Sequence, residues 1–219
     1  MTSSPTDRLR ADLAALYPQY GLRVAHVGTV LVGPTDEELF ELAAIVAEPG
    51  GVVAPGREGE PPHGPTDAGD AAARRFLEEA WRLREAPTPT RWRAPLTVVD
   101  GGRAVGLAVL SRADAGAVRT STWLARAEQG RGLGRRVRLM LLELAFVHLG
   151  AARAVSAAAE GDAAARRVSQ RCGYRETHRE TGADGVVEVH ATVTPAAWRR
   201  RRLPDVEVDG VDAFRTAVT

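Results

Sequence analysis

The chain has 219 residues, of which 44% are hydrophobic, and this is enough for one sizeable core. Its net charge of +1 argues against a broad nucleic-acid surface, and its single cysteine, Cys172, excludes an internal disulfide framework. No N-terminal apolar stretch resembles a signal peptide, and no apolar run approaches the roughly 18 residues of a membrane span. We therefore expect a cytoplasmic protein with no nucleic-acid or membrane partner. All 29 basic residues are arginines, so a single arginine carries less functional weight than usual.

The first half of the chain predicts helices around one strand. Residues up to about Tyr20 favour a short helix, and the apolar run Leu22–Val32 predicts a strand. Thr35 precedes three acidic residues and is a suitable cap for the next helix. The segment 48–65 is rich in proline and glycine, and a second amphipathic helix is predicted from Thr66.

The second half predicts alternating strands and helices. The turn residues Asp100–Arg103 lie between two apolar segments and predict a β-hairpin, and Ala117–Leu124 is the next strand. Apolar residues at helical spacing follow as far as Gly150. The remaining predicted elements are a strand over Arg153–Ala159, a helix that Asp162 caps, and a final hairpin of 174–180 with 186–194.

A loop rich in glycine and arginine joins the strand Ala117–Leu124 to the following helix. Glycines 130, 132 and 134 permit positive φ and close approach of the backbone to a ligand. The first N–H groups of a helix lack internal partners and favour an anion, as do three arginines in and after the loop, Arg131, Arg135 and Arg136. The loop has neither the Gly-Lys-Ser/Thr ending of a P-loop nor the glycine spacing of the dinucleotide fingerprint. It predicts a diphosphate site of another kind.

The pattern Gln129-x-x-Gly132-x-Gly134 resembles the acyl-CoA pyrophosphate loop of the GNAT superfamily of N-acetyltransferases. The predicted order of elements is similar to that superfamily as well. The segments 120–124 and 166–174 resemble the branch of ribosomal-protein N-terminal acetyltransferases, the RimJ/RimL type. The resemblance implies an α/β (α+β) GNAT fold with helices on both faces of a mixed, mostly antiparallel sheet. This sheet would splay between the strands Ala117–Leu124 and Arg153–Ala159.

The same resemblance implies how the chain divides into a domain and two extensions, and which cosubstrate it uses. Residues 1–21 would form an N-terminal extension, 22–203 the GNAT acyltransferase domain and 204–219 a C-terminal extension. The resemblance implies acetyl-CoA, or another acyl-CoA, and no metal. Dimers are common in this branch, so a homodimer is expected.

The resemblance also implies which residues bind CoA. The backbone of Trp123, Leu124 and Ala125 would pair with the pantetheine arm, and an N–H of Leu124 or Ala125 would polarise the thioester carbonyl. Asp162 stands where the family has an asparagine near the pantetheine. The pyrophosphate would be held by seven consecutive residues, Gln129, Gly130, Arg131, Gly132, Leu133, Gly134 and Arg135.

Direct transfer to an amine requires a base for the amine and an acid for the departing thiolate. The resemblance places Ser169 where many members have a tyrosine beside the sulfur, and Tyr174 is a second hydroxyl within reach of the pocket. Arg119 stands where relatives often have a glutamate base, and an arginine does not accept a proton at neutral pH. Glu160, with Asp162 close by, is therefore a substitute base, and Asp114 before the strand Ala117–Leu124 is another. His178 and His190, nearly opposite each other on the last hairpin, are weaker substitutes.

The predicted function is transfer of an acyl group, most simply acetyl, to a primary amine of a small molecule or a protein N-terminus. Arg119 and Ser121 would bind the acceptor, or the distal carboxylate of an acyl group such as succinyl. The missing glutamate leaves an alternative, a GNAT-fold protein that binds CoA as an accessory or regulatory protein without acylating. The segment 48–65 is predicted to shape the acceptor pocket. No set of His, Cys and Asp residues has the sequence spacing of a metal site.

Overall fold

One nine-stranded sheet organises the computed structural model, which describes residues 5–49, 69–114, 116–182 and 185–219. Its strands are β1 (Arg23–His26), β2 (Thr29–Val32), β3 (Arg93–Asp100), β4 (Arg103–Asp114), β5 (Ala117–Leu124), β6 (Arg153–Ala159), β7 (Arg175–Thr181), β8 (Val187–Val193) and β9 (Glu207–Asp209). The helices of the described residues are α1 (Pro5–Leu16), α2 (Asp36–Ala47), α3 (Asp70–Arg82), α4 (Leu133–Glu143), α5 (Ala163–Cys172), α6 (Pro195–Arg199) and α7 (Val211–Val218).

The strand order across the sheet is β7-β8-β6-β5-β4-β3-β2-β1-β9. Neighbouring strands are antiparallel except β5 and β6, which run parallel. These two strands pair only from Ala117↔Arg153 to Arg119↔Val155, and beyond that point they separate. The predicted mixed, mostly antiparallel sheet that splays between these two strands is thereby confirmed.

Helices cover both faces of the sheet, as predicted. Because side chains alternate along a strand, the central strands β4 and β5 contribute to two hydrophobic clusters, one on each face of the sheet. The cluster under α4 includes Val118, Leu124, Val137 and Met140, and the cluster under α2 and α3 includes Leu39, Leu42, Phe76, Leu107 and Trp123.

The cap predicted for α2 is present. The Glu38 N–H donates to Thr35 Oγ1 at 3.3 Å, and the Thr35 N–H donates to Glu38 Oε2 at 3.0 Å, so the two residues form a capping box. The Thr97 hydroxyl on β3 also donates to Glu38 Oε2, at 3.2 Å. The cap therefore fixes the start of α2 against the sheet.

The single strand predicted over Leu22–Val32 is wrong in one respect. The structure divides it into β1 and β2, which pair as a hairpin around Val27 and Gly28. Both turn residues have positive φ, 43° and 77°. A β-branched residue rarely adopts that conformation, so the sequence pattern hides this turn.

The C-terminal residues 204–219, predicted as an extension, add a strand and a helix. β9 pairs with β1 at the edge of the sheet. In α7, the buried Phe214 packs edge-to-face on Trp92 with 5.4 Å between ring centroids. Gly210 precedes this helix, and a Cβ there would lie 1.8 Å from the Gly21 carbonyl oxygen. Only glycine allows this close approach of the two backbone segments.

The segment 48–65, predicted to shape the acceptor pocket, lies outside the described residues apart from its first two positions, as does the predicted helix start at Thr66. None of the helices in the described ranges is long and apolar enough to cross a membrane.

Gly106 on β4 lies opposite Leu124, at the end of β5 that extends beyond the pairing with β6. A Cβ at this position would lie 2.3 Å from the Trp123 carbonyl oxygen, a backbone atom of the paired strand. We expect Gly106→Ala to lower the free energy of unfolding by about 1–3 kcal/mol, measured by denaturant unfolding, because the two strands must move apart. The matched control is Gly161→Ala, whose added Cβ meets no atom within 4 Å. Equal stability of the two variants would contradict this account.

Candidate functional site

The separation of β5 from β6 opens a gap that begins at Thr120 and Ser156, the first residues beyond the paired segment. Along β5, alternate residues direct their backbone groups to opposite edges. The Ala125 N–H donates to the Val105 carbonyl on β4 at 2.8 Å, so the backbone of Leu124 faces the gap. Of the two N–H groups predicted to polarise a thioester, that of Ala125 is therefore already used, and that of Leu124 remains.

The glycine loop lies at the mouth of this gap. Gly130 and Gly132 have φ of 75° and 87°, and Gly132 caps α4. The first backbone hydrogen bond of the helix joins the Arg136 N–H to the Gly132 carbonyl at 3.1 Å, so the N–H groups of residues 133–135 precede it. The Gln129 side chain donates to the Leu124 carbonyl at 3.0 Å. The loop is thus tied to the end of β5 and presents amides to an anion.

The arginines of the loop differ in their surroundings. Arg131 is exposed, and its guanidinium lies 3.0 Å from the carboxylate of Glu128. Arg135 is half-buried at the first turn of α4. The prediction that Arg136 favours an anion there is wrong, because its guanidinium donates to Thr29 Oγ1 at 2.8 Å and lies 3.6 Å from Asp100. Arg136 therefore joins α4 to β2 and β3.

Asp162 caps α5 as predicted, because its carboxylate accepts the Ala165 N–H at 2.9 Å. Two residues before Asp162, Glu160 directly follows the end of β6. Its carboxylate accepts a hydrogen bond from Arg179 Nε at 2.8 Å. Glu160 lies five residues beyond the last β5–β6 pair, as Leu124 does, so the two are level on opposite sides of the gap.

Buried hydroxyl groups lie at the base of the gap, on the face covered by α4 and α5. Thr120 Oγ1 is 2.7 Å from the Tyr174 hydroxyl, and Arg138 donates to Thr120 at 3.2 Å. Ser169 Oγ is 3.4 Å from Ser156 Oγ. Ser156, Ser169 and Tyr174 line one pocket. Of the predicted catalytic residues, Ser169 and Tyr174 are therefore brought together.

Glu160 is not part of this group. It lies four residues beyond Ser156, about 13 Å along the strand direction. Sequence reasoning missed Thr120, Arg138 and Ser156. The signal for Ser156 is a polar residue at an inward position among the alanines and valine that follow Arg153 in β6.

Tyr174 and Cys172 are too deeply buried to ionise readily. Burial raises the pKa of the Tyr174 phenol, although Arg138 opposes this shift. Burial also raises the pKa of Cys172 to about 11, so this thiol stays protonated at neutral pH. A protonated thiol is a weak nucleophile, which argues against an acyl-cysteine intermediate at this position.

The opposite face of β5 carries the residues predicted to meet the acceptor. Trp123 is buried and packs edge-to-face on Phe76, with 5.6 Å between ring centroids. Its indole N–H has no acceptor among the described residues. Ser121 is half-buried and Arg119 is exposed, and alternation places both on the face of Trp123. The sheet therefore separates these residues from the buried hydroxyls.

Residues 29–175 match the family described as the acetyltransferase (GNAT) domain. The chain belongs to this family. The match includes both strands that border the gap, the glycine loop, α5 and the first residue of β7.

Solved structures of GNAT proteins share the fold at low sequence identity. A GCN5-related N-acetyltransferase from Brucella melitensis is 14% identical, with a TM-score of 0.62 and coverage of 81% of this chain and 80% of the other. Mycobacterium smegmatis RimJ, solved with CoA-disulfide, is 16% identical, with a TM-score of 0.60 and coverage of 89% and 90%. Mutant forms of the spermidine/spermine N-acetyltransferase SpeG from Vibrio cholerae are 13% identical, with a TM-score of 0.58 and coverage of 80% and 98%.

The contact between Tyr174 and Thr120 is testable because phenylalanine keeps the ring. We expect Tyr174→Phe to lower the free energy of unfolding by about 0.5–1.5 kcal/mol, measured by denaturant unfolding, since one buried hydrogen bond is lost. Thr120 retains its bond from Arg138 in this variant. We expect CoA affinity to be unchanged. A loss of about 100-fold in turnover with unchanged stability would instead identify the phenol as a catalytic acid.

Proposed function

We propose that this protein transfers an acetyl group from acetyl-CoA directly to a primary amine, on a small molecule or a protein N-terminus. The observation that carries the proposal is the splayed edge of β5, which ends at the glycine loop and the first amides of α4. The free backbone edge suits the extended pantetheine arm of CoA, and the anion site at its end suits the diphosphate to which that arm is joined. Membership of the GNAT acetyltransferase family supports the same reading.

Different residues around the gap bind different parts of acetyl-CoA. The pyrophosphate is held by residues 129–135, with Arg131 and Arg135 adding positive charge. The pantetheine arm pairs along β5, and the Leu124 N–H polarises the thioester carbonyl. The cosubstrate supplies an activated acyl group with a thiolate as leaving group.

The transfer requires a group that accepts the proton of the attacking amine and a group that stabilises the departing thiolate. The neutral amine attacks the thioester carbon, the new C–N bond forms, and the C–S bond breaks to release the thiolate of CoA. Ser169 donates a hydrogen bond to this sulfur, with Ser156 beside it as the next hydroxyl. Glu160, just beyond the end of β6 and level with Leu124, accepts the proton of the amine through water.

We also place the protein in the RimJ/RimL-type branch, as a cytoplasmic enzyme and a homodimer. The sequence patterns of 120–124 and 166–174 support the branch. The similarity of the fold to that of RimJ agrees with it. A protein N-terminus would then be a natural acceptor.

The first test measures CoA binding and thiol release separately. We expect CoA and acetyl-CoA to raise the unfolding temperature, and free thiol to appear when acetyl-CoA meets a panel of amines and peptides. We expect the double variant Arg131→Gln, Arg135→Gln to weaken CoA binding about tenfold or more, because charge-assisted hydrogen bonds are lost. Arg200→Gln, at an exposed arginine beyond α6, is the matched control.

The outcomes separate the two classes of function. Binding with amine-dependent thiol release supports the transferase. Binding without release for any amine identifies a CoA-binding accessory protein instead. Absence of binding overturns both. If Ser169 assists the sulfur, Ser169→Ala lowers turnover while CoA affinity stays unchanged.

A dicarboxylic acyl donor such as succinyl-CoA is the second candidate. The specific observation in its favour is Arg119, whose exposed side chain forms no ion pair within the described ranges and shares a face with Ser121. A guanidinium there is suited to a carboxylate, on the acyl group or on the acceptor.

A panel of acyl-CoAs tests this assignment of Arg119. We expect Arg119→Glu to lower kcat/KM about tenfold or more for partners that carry a carboxylate, and to leave other partners unchanged, because the charge pair becomes repulsive. Arg103→Glu, an exposed arginine at the start of β4, controls for the change in net charge. The same preference for acetyl over succinyl in Arg119→Glu as in the parent would reject the idea.

A further inference from the structure

The last hairpin brings two histidines and two glutamates together. The pairing of β7 with β8 places His178 directly opposite His190 and Glu180 directly opposite Glu188. Directly opposed residues project from the same face of a sheet, as do residues two apart along one strand. The four side chains therefore form one patch, which we call the His-Glu patch. The predicted position of the two histidines is confirmed.

The distances within the His-Glu patch are short. The imidazole rings are stacked, with centroids 4.3 Å apart and planes inclined by 9°. His190 Nε2 is 3.4 Å from Glu180 Oε2 and 3.6 Å from Glu188 Oε2. One ligand atom from each of His178, Glu180 and His190 lies within 4.8 Å of the other two.

This geometry matches the needs of a divalent transition metal. A tetrahedral ion with bonds near 2.0–2.1 Å has its ligand atoms roughly 3.4 Å apart, which is close to the spacing in the patch. Because the two rings are stacked, one imidazole must turn about its side-chain bonds so that both nitrogen lone pairs converge on the ion. Two imidazoles and a carboxylate form a common ligand set for Zn²⁺, with a fourth position left for water. The two carboxylates of the patch also supply the charge that balances a divalent ion.

A neighbouring contact orients one of the ligands. The Thr177 hydroxyl lies 3.1 Å from His178 Nδ1, which leaves Nε2 of this ring to face an ion. Histidine ligands are commonly held in this way by a hydrogen bond at the other ring nitrogen. A search for metal-ligand spacing in the sequence misses this site, because residues 178 and 190 are brought together by the register of β7 and β8.

We propose that His178, Glu180 and His190 bind one divalent transition-metal ion of the Zn²⁺, Ni²⁺ and Cu²⁺ class. The ion would join β7, the edge strand, to β8. The register from β8 through β6 to β5 places the patch on the face of the sheet that carries Arg119. The proposal does not depend on the proposed acyl transfer.

The test is titration of tag-free, chelator-treated protein with Zn²⁺, Ni²⁺ and Cu²⁺, by calorimetry or with a coloured competitor. We expect one equivalent to bind, and Cu²⁺ to show electron paramagnetic couplings to two imidazole nitrogens. We expect His178→Ala, His190→Ala and Glu180→Gln each to weaken binding about tenfold or more, because each removes one ligand. His148→Ala, at a histidine outside the patch, is the matched control.

Several outcomes would overturn the proposal. One is that the parent protein binds none of the three metal ions stoichiometrically. Another is that the parent and the double variant His178→Ala, His190→Ala bind the metal ion with equal affinity. Copper spectra with fewer than two nitrogen couplings would do the same. Thermal unfolding of each metal-free variant checks that it folds. Should His178→Ala fail to fold, His178→Gln provides the second variant, and it is expected to bind as weakly.

Discussion

Three residue pairs between β5 and β6 hold together the two antiparallel parts of the sheet. Parallel neighbours cannot be joined by a tight turn, so the chain must cross over the sheet through α4 before it returns as β6. This crossover begins where β5 has already left its partner. The gap, the exposed backbone edge of β5 and the first amides of α4 therefore lie together because β5 and β6 are parallel and must be joined through a helix.

The two faces of the sheet beside the gap carry different kinds of side chain. Thr120, Ser156, Ser169 and Tyr174 are buried on the face of α4 and α5, where each hydroxyl has another polar group as neighbour. Arg119 is exposed on the opposite face. A ligand bound in the gap would contact the buried hydroxyls on one face and Arg119 on the other. Buried hydroxyls stay in place because leaving one unpaired is costly, so this face is rigid, as the proposed role of Ser169 beside the CoA sulfur requires.

Local signals predicted much of the fold. The hairpin at Asp100–Arg103, the cap of α2 at Thr35 and the cap of α5 at Asp162 each depend on a few neighbouring residues, and each is present. The turn at Val27 escaped prediction because valine rarely has positive φ. Contacts set by strand register or long-range packing escaped too. Arg136 bonds to Thr29 far away in the chain, and Ser156 meets Ser169 across an element boundary.

The loop that begins α4 carries its positive charge on guanidinium groups alone, and the whole chain contains no lysine. The lysines of an acetyltransferase are exposed to acetylation by acetyl-CoA, and acetylation removes their charge. Arginine stays protonated and is a poor nucleophile at neutral pH. The chain therefore offers no lysine amine that competes with the acceptor or is itself acetylated. The affinity of the loop for an anion therefore does not decline through such self-modification.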